Sequence, residues 1–268
     1  MIASRGTPLA LVRGSGDIGS AVAHQLFSAG LRVILHDVAR PAHTRRGMAF
    51  TNALFERKAE LSGVLAKTPR DLEGLTCMLQ CGNALPVTTF PVETVADALH
   101  PDIMVDARMR KRVVPEPQRC LAPLTIGLGP NFVAGEQTEL AIETAWGDEL
   151  GQVIRKGSTC PLSGPPRTIA GHSTDRYVYA PLGGVFLTTL EIGMKVVAGQ
   201  EIARIGDFEL RAPLSGRLRG LTHTEVEVTA GTKVIEIDPR DETADIYGVG
   251  ERPRRIAQGV LEVIPASD

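Results

Sequence analysis

The chain has 268 residues, of which 43% are hydrophobic and 22% charged, a balance typical of a globular protein with a sizeable core. Its formal net charge of -2 at pH 7 gives no basic surface that would make nucleic acid the default partner. No apolar run reaches the roughly 18 residues of a membrane span, and the first residues run directly into a strand. We therefore expect a cytoplasmic protein without membrane contact.

Residues 8 to 37 form the clearest local unit, with an apolar strand (LALVRG), a glycine turn, a helix and a second apolar strand (RVILHD). Ile18, Val22, Leu26 and Ala29 repeat at helical spacing, and Gly30 follows as a C-terminal cap. The pattern predicts a βαβ unit with parallel strands.

The next segments alternate between helix and strand patterns. Residues 41 to 65, around AFTNALFERKAEL, resemble a helix, LPVTTFP a strand, VETVADALH a helix and DIMVDA another strand. Such alternation favours a parallel sheet with helices on both faces. We expect a Rossmann-like nucleotide- or cofactor-binding domain over residues 1–150.

A Gly/Pro/Ser-rich connector is expected over 151–179, followed by an internal repeat over 180–240. APLGGVF at 180 matches APLSGRL at 212, and Gly199 lies 32 residues before Gly231. Two equal β-rich halves predict a small all-β barrel-sandwich hybrid, similar to biotinyl and lipoyl modules. Residues 241–268 form a tail whose helix, with Ile256, Val260 and Ile264 on one stripe, is expected to pack back on the first domain.

The module is not expected to carry biotin or lipoate. Those groups attach to a lysine at the hairpin tip between the half-repeats, and the tip here, IGDFELRAP, has none. Lys195 stands within the first half, before that hairpin. The sequence therefore predicts binding or architecture rather than group transfer.

Four sparse cysteines favour reduced thiols over a disulfide framework. Cys77 and Cys81 are separated by three residues rather than two, and no second pair completes a zinc site. No metal site is predicted. No nucleophile elbow, Walker loop or HExxH helix is found either, so the catalytic residues are unknown.

The glycine turn GSGDIG fits a GxGxxG dinucleotide fingerprint, with an acid ending the next strand; its residues are Gly14, Gly16, Gly19 and Asp37. The glycines would allow a tight turn, close approach of a pyrophosphate and close packing of helix on strand. The alternative is a turn of the same shape that has lost its ligand. Asp17 would repel a pyrophosphate unless it points away or pairs with a cation such as Arg13.

An arginine loop, RPAHTRRGMAF, follows the second strand. If the two strands are parallel, Arg45 and Arg46 reach the same sheet edge as GSGDIG, where their charge would compensate Asp17 and hold a phosphate. The alternative is a solvated surface.

Two further segments are candidates for ligand contacts. Asp106 ends a predicted parallel strand, where open α/β sheets bind ligands, although such an aspartate also caps turns. GLGPNFVAG, with Gly127, Gly129 and Asn131, is a second glycine loop able to present amides to an anion, or simply a loop.

With these motifs, the chain resembles the selenium-dependent molybdenum hydroxylase system protein family, relatives of the xanthine dehydrogenase accessory proteins. The resemblance rests on VRGSGDIGSAVA, PAHTRRGMAF, VDARMRKR, IGLGPNFVAGEQTELAIET, LGQVIRKG, GRLRGL, GTKVIEIDPR and IAQGVLEVI. By position, its motifs match Arg13, Gly14, Gly16, Asp17, Arg45, Arg46, Phe50, Asp106 and Gly127 to Pro130. Asn131, the AWGD stretch and GERPRR depart from the pattern.

The resemblance implies an accessory protein, rather than a stand-alone enzyme, that matures a molybdenum hydroxylase. It would bind a molybdenum-pterin cofactor or a related nucleotide and dock on the hydroxylase as its client. The alternatives are an NAD(P)-dependent oxidoreductase, supported by GSGDIG and Asp37, and a non-catalytic scaffold with a vestigial nucleotide site. Exposed strand edges would also allow a homo-oligomer.

Overall fold

The structure, a computed structural model, describes residues 6–110, 113–161 and 166–265. The remaining residues, which include part of VDARMRKR and part of the connector, lie outside the described residues. Within the described ranges, no helix has the length and apolar character needed to cross a bilayer.

A nine-stranded sheet forms the larger part of the chain. Its spatial order is β10-β9-β7-β6-β1-β2-β5-β4-β3. The strands are β1 (Leu9–Arg13), β2 (Arg32–His36), β3 (Lys58–Leu61), β4 (Val64–Lys67), β5 (Leu85–Thr88), β6 (Ile103–Asp106), β7 (Leu124–Leu128), β9 (Leu140–Ile142) and β10 (Val153–Ile154). A separate two-stranded sheet pairs β8 (Val133–Ala134) with β11 (Gly157–Ser158).

Four helices accompany the large sheet, and a fifth lies near the C-terminus. They are α1 (Asp17–Ser28), α2 (Ala53–Glu56), α3 (Leu72–Cys81), α4 (Val92–Leu99) and α5 (Glu251–Glu262). The βαβ prediction is confirmed, because β1 and β2 pair in parallel and α1 connects them. Gly30 ends this helix at φ +88°, a conformation that glycine adopts without a steric penalty.

The helix predicted over residues 41 to 65 is wrong. Only the four-residue α2 is α-helical there, and the following residues form the antiparallel hairpin β3–β4. Its turn residues Ser62 and Gly63 have φ values of +46° and +84°, the backbone of a type I′ turn. Local turn chemistry thus overrides the helical spacing of the apolar residues in this segment.

This hairpin and β10 make the large sheet mixed. β3 runs antiparallel to β4, and β10 antiparallel to β9, while the pairs between them are parallel. The predicted Rossmann-like parallel sheet is therefore wrong. The alternation of apolar segments located the central strands but gave no direction for the edge strands.

The C-terminal strands form two four-stranded antiparallel sheets, in the orders β12-β19-β17-β14 and β16-β15-β13-β18. They are β12 (Tyr177–Tyr179), β13 (Gly184–Leu187), β14 (Lys195–Val196), β15 (Glu201–Ile205), β16 (Phe208–Arg211), β17 (Gly216–Leu221), β18 (Val226–Val228) and β19 (Lys233–Asp238). The fold prediction of a biotinyl- or lipoyl-like barrel-sandwich module is a second error. The chain builds separate sheets, and β12 begins before the expected boundary at residue 180.

The internal repeat is visible in the strand pairing. Phe186 pairs with Ile205, and 32 positions later Leu218 pairs with Ile237. The inner faces of both sheets contribute to one apolar core. The repeat in sequence therefore corresponds to two equivalent sheets.

The C-terminal helix α5 packs against α1. Ile256, Ala257 and Val260 are buried in the same core as Val22 and Leu26 of α1. On another side of α5, Gly259 allows the helix to approach the loop before β10, since a methyl group there would lie 2.0 Å from the carbonyl oxygen of Gly151. The domain boundaries expected from the sequence stay predictions.

Replacing Gly19 by alanine should destabilise the protein. A methyl group at Gly19 would lie 1.8 Å from the carbonyl oxygen of Gly14, so α1 would have to move off the turn. We expect the free energy of unfolding to fall by about 1–3 kcal/mol or more in urea titrations.

Gly74→Ala is the matched control for this substitution. Gly74 also lies in a helix, but the nearest atom to its added methyl would be a side-chain oxygen of Asp71 at 3.2 Å. Since alanine has a higher helix propensity than glycine, the free energy of unfolding of the Gly74→Ala variant should stay the same or rise. Equal losses in both variants would contradict the packing role of Gly19.

Candidate functional site

The predicted site residues lie at the carboxyl edge of the large sheet. Arg13 at the end of β1 pairs in register with Asp106 at the end of β6, which pairs with Gly127 of β7. β2 neighbours β1 on the other side, so Asp37 lies at the same edge. The order of strands thus places the two glycine loops, Asp37 and Asp106 near one another.

The glycine turn has the expected tight packing. A methyl group on Gly14, which has φ +103°, would lie 2.8 Å from the carbonyl oxygen of Ala107. A methyl group on Gly16 would lie 3.3 Å from ring atoms of His43. The imidazole therefore covers the glycine over which a pyrophosphate would pass in a dinucleotide site.

Asp37 is bound by the turn itself. Its carboxylate accepts hydrogen bonds from the backbone N–H of Ser15 at 2.5 Å and the Ser15 hydroxyl at 2.8 Å, and it pairs with His43 Nε2 at 2.8 Å. Burial alone would raise the pKa of Asp37, but His43 and the Ser15 N–H outweigh burial and lower it to about 2. Asp37 thus holds the turn in shape through Oδ2, while its Oδ1 accepts a hydrogen bond from the Val38 N–H at 2.8 Å.

Asp17 is neutralised as predicted, but by Arg45 rather than Arg13. It begins α1, and its carboxylate accepts a hydrogen bond from Arg45 Nη1 at 2.9 Å. Burial raises the pKa of Asp17, whereas Arg45 lowers it, and the net result is below the ordinary value. The arginine loop thus reaches the turn.

Arg45 also reaches the C-terminal sheets. Its Nε and Nη2 donate to the two oxygens of Glu236 in β19 at 2.9 and 3.1 Å. The Glu236 side chain is 0% exposed, so this bidentate pair is shielded from solvent. One guanidinium therefore links α1 to β19.

Four cations lie within 4 Å of Glu236. Besides Arg45, Arg176 Nη1 lies at 2.7 Å, Lys233 Nζ at 3.1 Å and Arg219 Nη1 at 3.8 Å. Burial raises the pKa of Glu236, but Arg45, Lys233 and Arg219 outweigh it and lower the pKa well below its ordinary value. We define the junction cluster as Asp17, Arg45, Arg176, Arg219, Lys233 and Glu236.

Tyr177 lies beside two cations of the junction cluster. The Arg176 guanidinium is 4.4 Å from the ring centroid and Lys233 Nζ is 4.7 Å from it. Burial, followed by Glu236, raises the pKa of Tyr177. Burial and Arg45 lower the pKa of Lys233 to about 8, although Glu236 acts in the opposite direction.

Arg46 packs inside the protein. It is 6% exposed, and its Nε donates to the carbonyl oxygen of Leu221 at 2.7 Å, while Nη1 donates to Asn52 Oδ1 at 3.1 Å. The Leu221 N–H in turn donates to the Thr44 carbonyl oxygen. Neither Arg45 nor Arg46 is a solvated surface group, so the alternative of a solvated surface does not describe these two side chains. A ligand contact by Arg46 stays a prediction.

Asp106 belongs to a second network of charges. It is 1% exposed and accepts hydrogen bonds from Arg108 Nε at 2.9 Å and from Gln118 Nε2 at 2.7 Å. Gln118 Oε1 accepts from Arg13 Nη1 at 2.7 Å, so it bridges the ends of β1 and β6. Burial raises and Arg108 lowers the pKa of Asp106, with a net decrease. Arg13 Nε has no hydrogen-bond partner among the described residues.

The second glycine loop is shaped by packing. A methyl group on Gly127 would lie 2.2 Å from the Phe132 ring, and Gly129 has φ +100°. Asn131 adopts φ +75°, which asparagine tolerates better than most residues, and its Nδ2 donates to the Val113 carbonyl oxygen. Contacts of this loop with a ligand stay predictions.

The sequence interpretation missed Arg176, Tyr177, Arg219, Lys233 and Glu236. A signal for Glu236 was present, since a carboxylate within the apolar strand VIEI must find partners if that strand is buried. The partners themselves come from distant segments. Within the described ranges, no group of three or more His, Cys, Asp or Glu residues has a geometry that could hold a metal ion.

No protein-family model matches the chain. The uncharacterized protein YqeB of Escherichia coli (strain K12) is 38% identical over 259 residues, which is 97% of this chain and 48% of that protein. The chain therefore spans about half the length of this curated relative.

Similar solved structures show low identity. The ectoine utilization protein EutE (DoeB) from Ruegeria pomeroyi is 15% identical with a TM-score of 0.27, covering 86% of this chain and 85% of that one. A succinylglutamate desuccinylase/aspartoacylase from Rhodobacter sphaeroides is 16% identical with a TM-score of 0.27 and the same coverage of both chains, 86% and 85%. An aspartoacylase family protein from Mesorhizobium loti is 9% identical, with a TM-score of 0.24 and coverage of 87% and 85%. TM-scores this low carry neither fold nor activity over to this chain.

These findings correct the functional interpretation. No protein-family model matches the chain, and the relative from Escherichia coli is described as an uncharacterized protein. On these findings the family resemblance and the maturation function that it implied are wrong, and so is the oxidoreductase alternative. The geometry also opposes a dinucleotide, because His43 covers Gly16 and Asp37 is engaged by Ser15.

Asp37→Asn should lower stability at neutral pH and flatten its dependence on acid. The folded pKa of about 2 lies below the ordinary 3.8, so the stabilisation is present above about pH 4 and is lost as pH falls towards 2. We expect a loss of roughly 2 kcal/mol at pH 7, measured by urea titration across pH. The exposed Asp148→Asn is the control. Identical acid profiles for Asp37→Asn and the unmodified protein would contradict the assignment.

Proposed function

We propose that the protein binds a small anionic ligand, carrying phosphate or carboxylate groups, at the junction cluster. The observation that carries this proposal is a group of four cations around one buried carboxylate, Glu236. Asp17 pairs with Arg45, and Asp238 and Asp245 lie 4.0 and 3.9 Å from the guanidinium of Arg219. An anion bound among the cations would reduce their mutual repulsion.

The cationic side chains retain hydrogen-bonding capacity. Arg176 is 2% exposed and Arg219 is 9% exposed, yet the Nε atoms of both lack hydrogen-bond partners among the described residues. A buried donor without an acceptor costs about 1–3 kcal/mol. An oxyanion offers acceptors to such guanidinium groups, and binding would recover part of that cost.

Repulsion within the cluster supports the same proposal. Burial and Arg45 keep the pKa of Lys233 low, which means that its charged form is costly in this environment. An additional negative charge would stabilise the ammonium. Binding of an anion should therefore be accompanied by uptake of a proton near pH 8.

The N-terminus of α1 adds a positive electrostatic potential that favours an anion. This twelve-residue helix begins at Asp17, and its N-cap Gly16 provides no side-chain cap. Backbone N–H groups at a helix N-terminus favour an anion nearby. In the structure the carboxylate of Asp17 lies at this helix N-terminus, and its hydrogen bond with Arg45 links the N-terminus of α1 to the rest of the junction cluster.

A cytoplasmic location is part of the proposal. The four cysteines are free and exposed, and Cys77 Sγ and Cys81 Sγ form a hydrogen bond at 3.9 Å rather than a disulfide. Free exposed thiols are typical of a reducing compartment. The expectations on nucleic acid, client protein, homo-oligomer, and the absence of biotin and lipoate stay predictions.

Arg219→Met should weaken the binding of inorganic pyrophosphate, a compact anionic probe, by about tenfold or more. The substitution removes a charge-assisted donor worth about 1.5–3 kcal/mol. Isothermal titration calorimetry would measure the affinity, and thermal unfolding would verify the fold.

Arg217→Met supplies the matched control on the same strand. Arg217 pairs with Asp241 and the Gly193 carbonyl oxygen, outside the junction cluster. The affinity of the Arg217→Met variant for pyrophosphate should stay within about twofold of that of the unmodified protein. Equal weakening in both variants, or no binding by the unmodified protein, would refute the proposed site.

A further inference from the structure

We propose that Lys233 is a nucleophilic amine, able to form an imine with an aldehyde or ketone that carries an anionic group. This inference rests on the proposed anion binding and adds a covalent chemistry to it. The anionic group would be held by the arginines of the junction cluster, and the carbonyl carbon would meet Nζ of Lys233.

The geometry distinguishes Lys233 from its neighbours in the cluster. Its side chain is 32% exposed, whereas those of Glu236 and Arg176 are 0% and 2% exposed. Nζ lies 3.1 Å from Glu236 Oε2 and 4.7 Å from the Tyr177 ring centroid. The amine is therefore held from one side by a carboxylate and a ring, while about a third of the lysine side chain is exposed.

Groups from several elements set the charge of this amine. Glu236 lies on the same strand, Arg45 in the loop after β2 and Asp17 at the start of α1, while Arg176 and Tyr177 come from the segment at β12. Burial has the largest effect on the pKa of Lys233 and lowers it; Glu236 and Asp17 raise it, and Arg45 lowers it. With a pKa of about 8, a substantial fraction of the amine is neutral in mildly alkaline solution.

The step requires no oxidant or reductant. The lone pair of the neutral Nζ attacks the carbonyl carbon, and the oxygen takes up a proton to give a carbinolamine. The nitrogen then forms the C=N bond while the oxygen leaves as water, carrying the protons that the amine has lost. One amine and one carbonyl compound therefore give one imine and one water.

Lys195 provides an internal comparison. It is also paired with a carboxylate, Asp241, at 2.7 Å, but its side chain is 57% exposed. Pairing with an acid is thus common to both lysines, and the surrounding buried arginines are particular to Lys233. A difference in their reactivity would report on the junction cluster.

The test uses pyridoxal 5′-phosphate as an anionic aldehyde and sodium borohydride to reduce any imine to a stable amine. Peptide mass spectrometry of the full chain would map the product between about pH 6 and pH 10. We expect Lys233 to be modified faster than Lys195, with a midpoint above pH 8, because the bound phosphate favours the protonated amine over the neutral one. Pyridoxal, which lacks the phosphate, should modify Lys233 more slowly, and pyrophosphate should protect it.

Lys233→Met should lose this product and Lys195→Met should keep it. Because the pH profile and the protection are measured on the unmodified protein, the test does not depend on the folding of a variant. Equal modification of both lysines, or no preference for the phosphate, would overturn the imine proposal. If pyrophosphate still bound by calorimetry in that case, anion binding would stand alone; if it did not, both proposals would fail.

Discussion

The guanidinium of Arg45 is the interaction on which the arrangement of the two halves depends. It joins Asp17 at the start of α1 to both oxygens of Glu236 in β19. A planar fork can satisfy two carboxylates at once, which the point charge of lysine cannot do with the same geometry. Without this guanidinium, Asp17 would lose its ion-pair partner and Glu236 would lose its bidentate partner. A buried carboxylate without a compensating cation is strongly destabilising.

The glycine turn shows how a protein can use a ligand-binding motif for its own structure. Gly14 and Gly19 allow the close packing expected of such a turn, but His43 covers Gly16 and Asp37 accepts from Ser15. The donors and space that would serve a dinucleotide are thus committed to side chains of the same chain. A group of four cations lies elsewhere, around Glu236 in the junction cluster.

The internal repeat shows how the surroundings of an ion pair change its properties. Lys233 and Glu236 form an ion pair three residues apart in β19, and the equivalent positions 32 residues earlier, Glu201 and Arg204, form a pair of reversed order. The earlier pair is largely exposed, with side chains 38% and 46% accessible. Only the pair in β19 faces the arginines of the junction. The same local pattern therefore yields a solvated ion pair in one sheet and a perturbed amine in the other.

The sequence by itself determined the β1–α1–β2 unit, the glycine that follows the end of α1 and the 32-residue repeat, because each follows from spacing within a short segment. It also indicated that a cation from the arginine loop would compensate Asp17, since parallel strands bring their ends to one edge. Tertiary structure alone decided the direction of the edge strands and the partners of Glu236. Arg45 and Glu236 are 191 residues apart, and no local pattern encodes a contact that exists only after both halves have packed together.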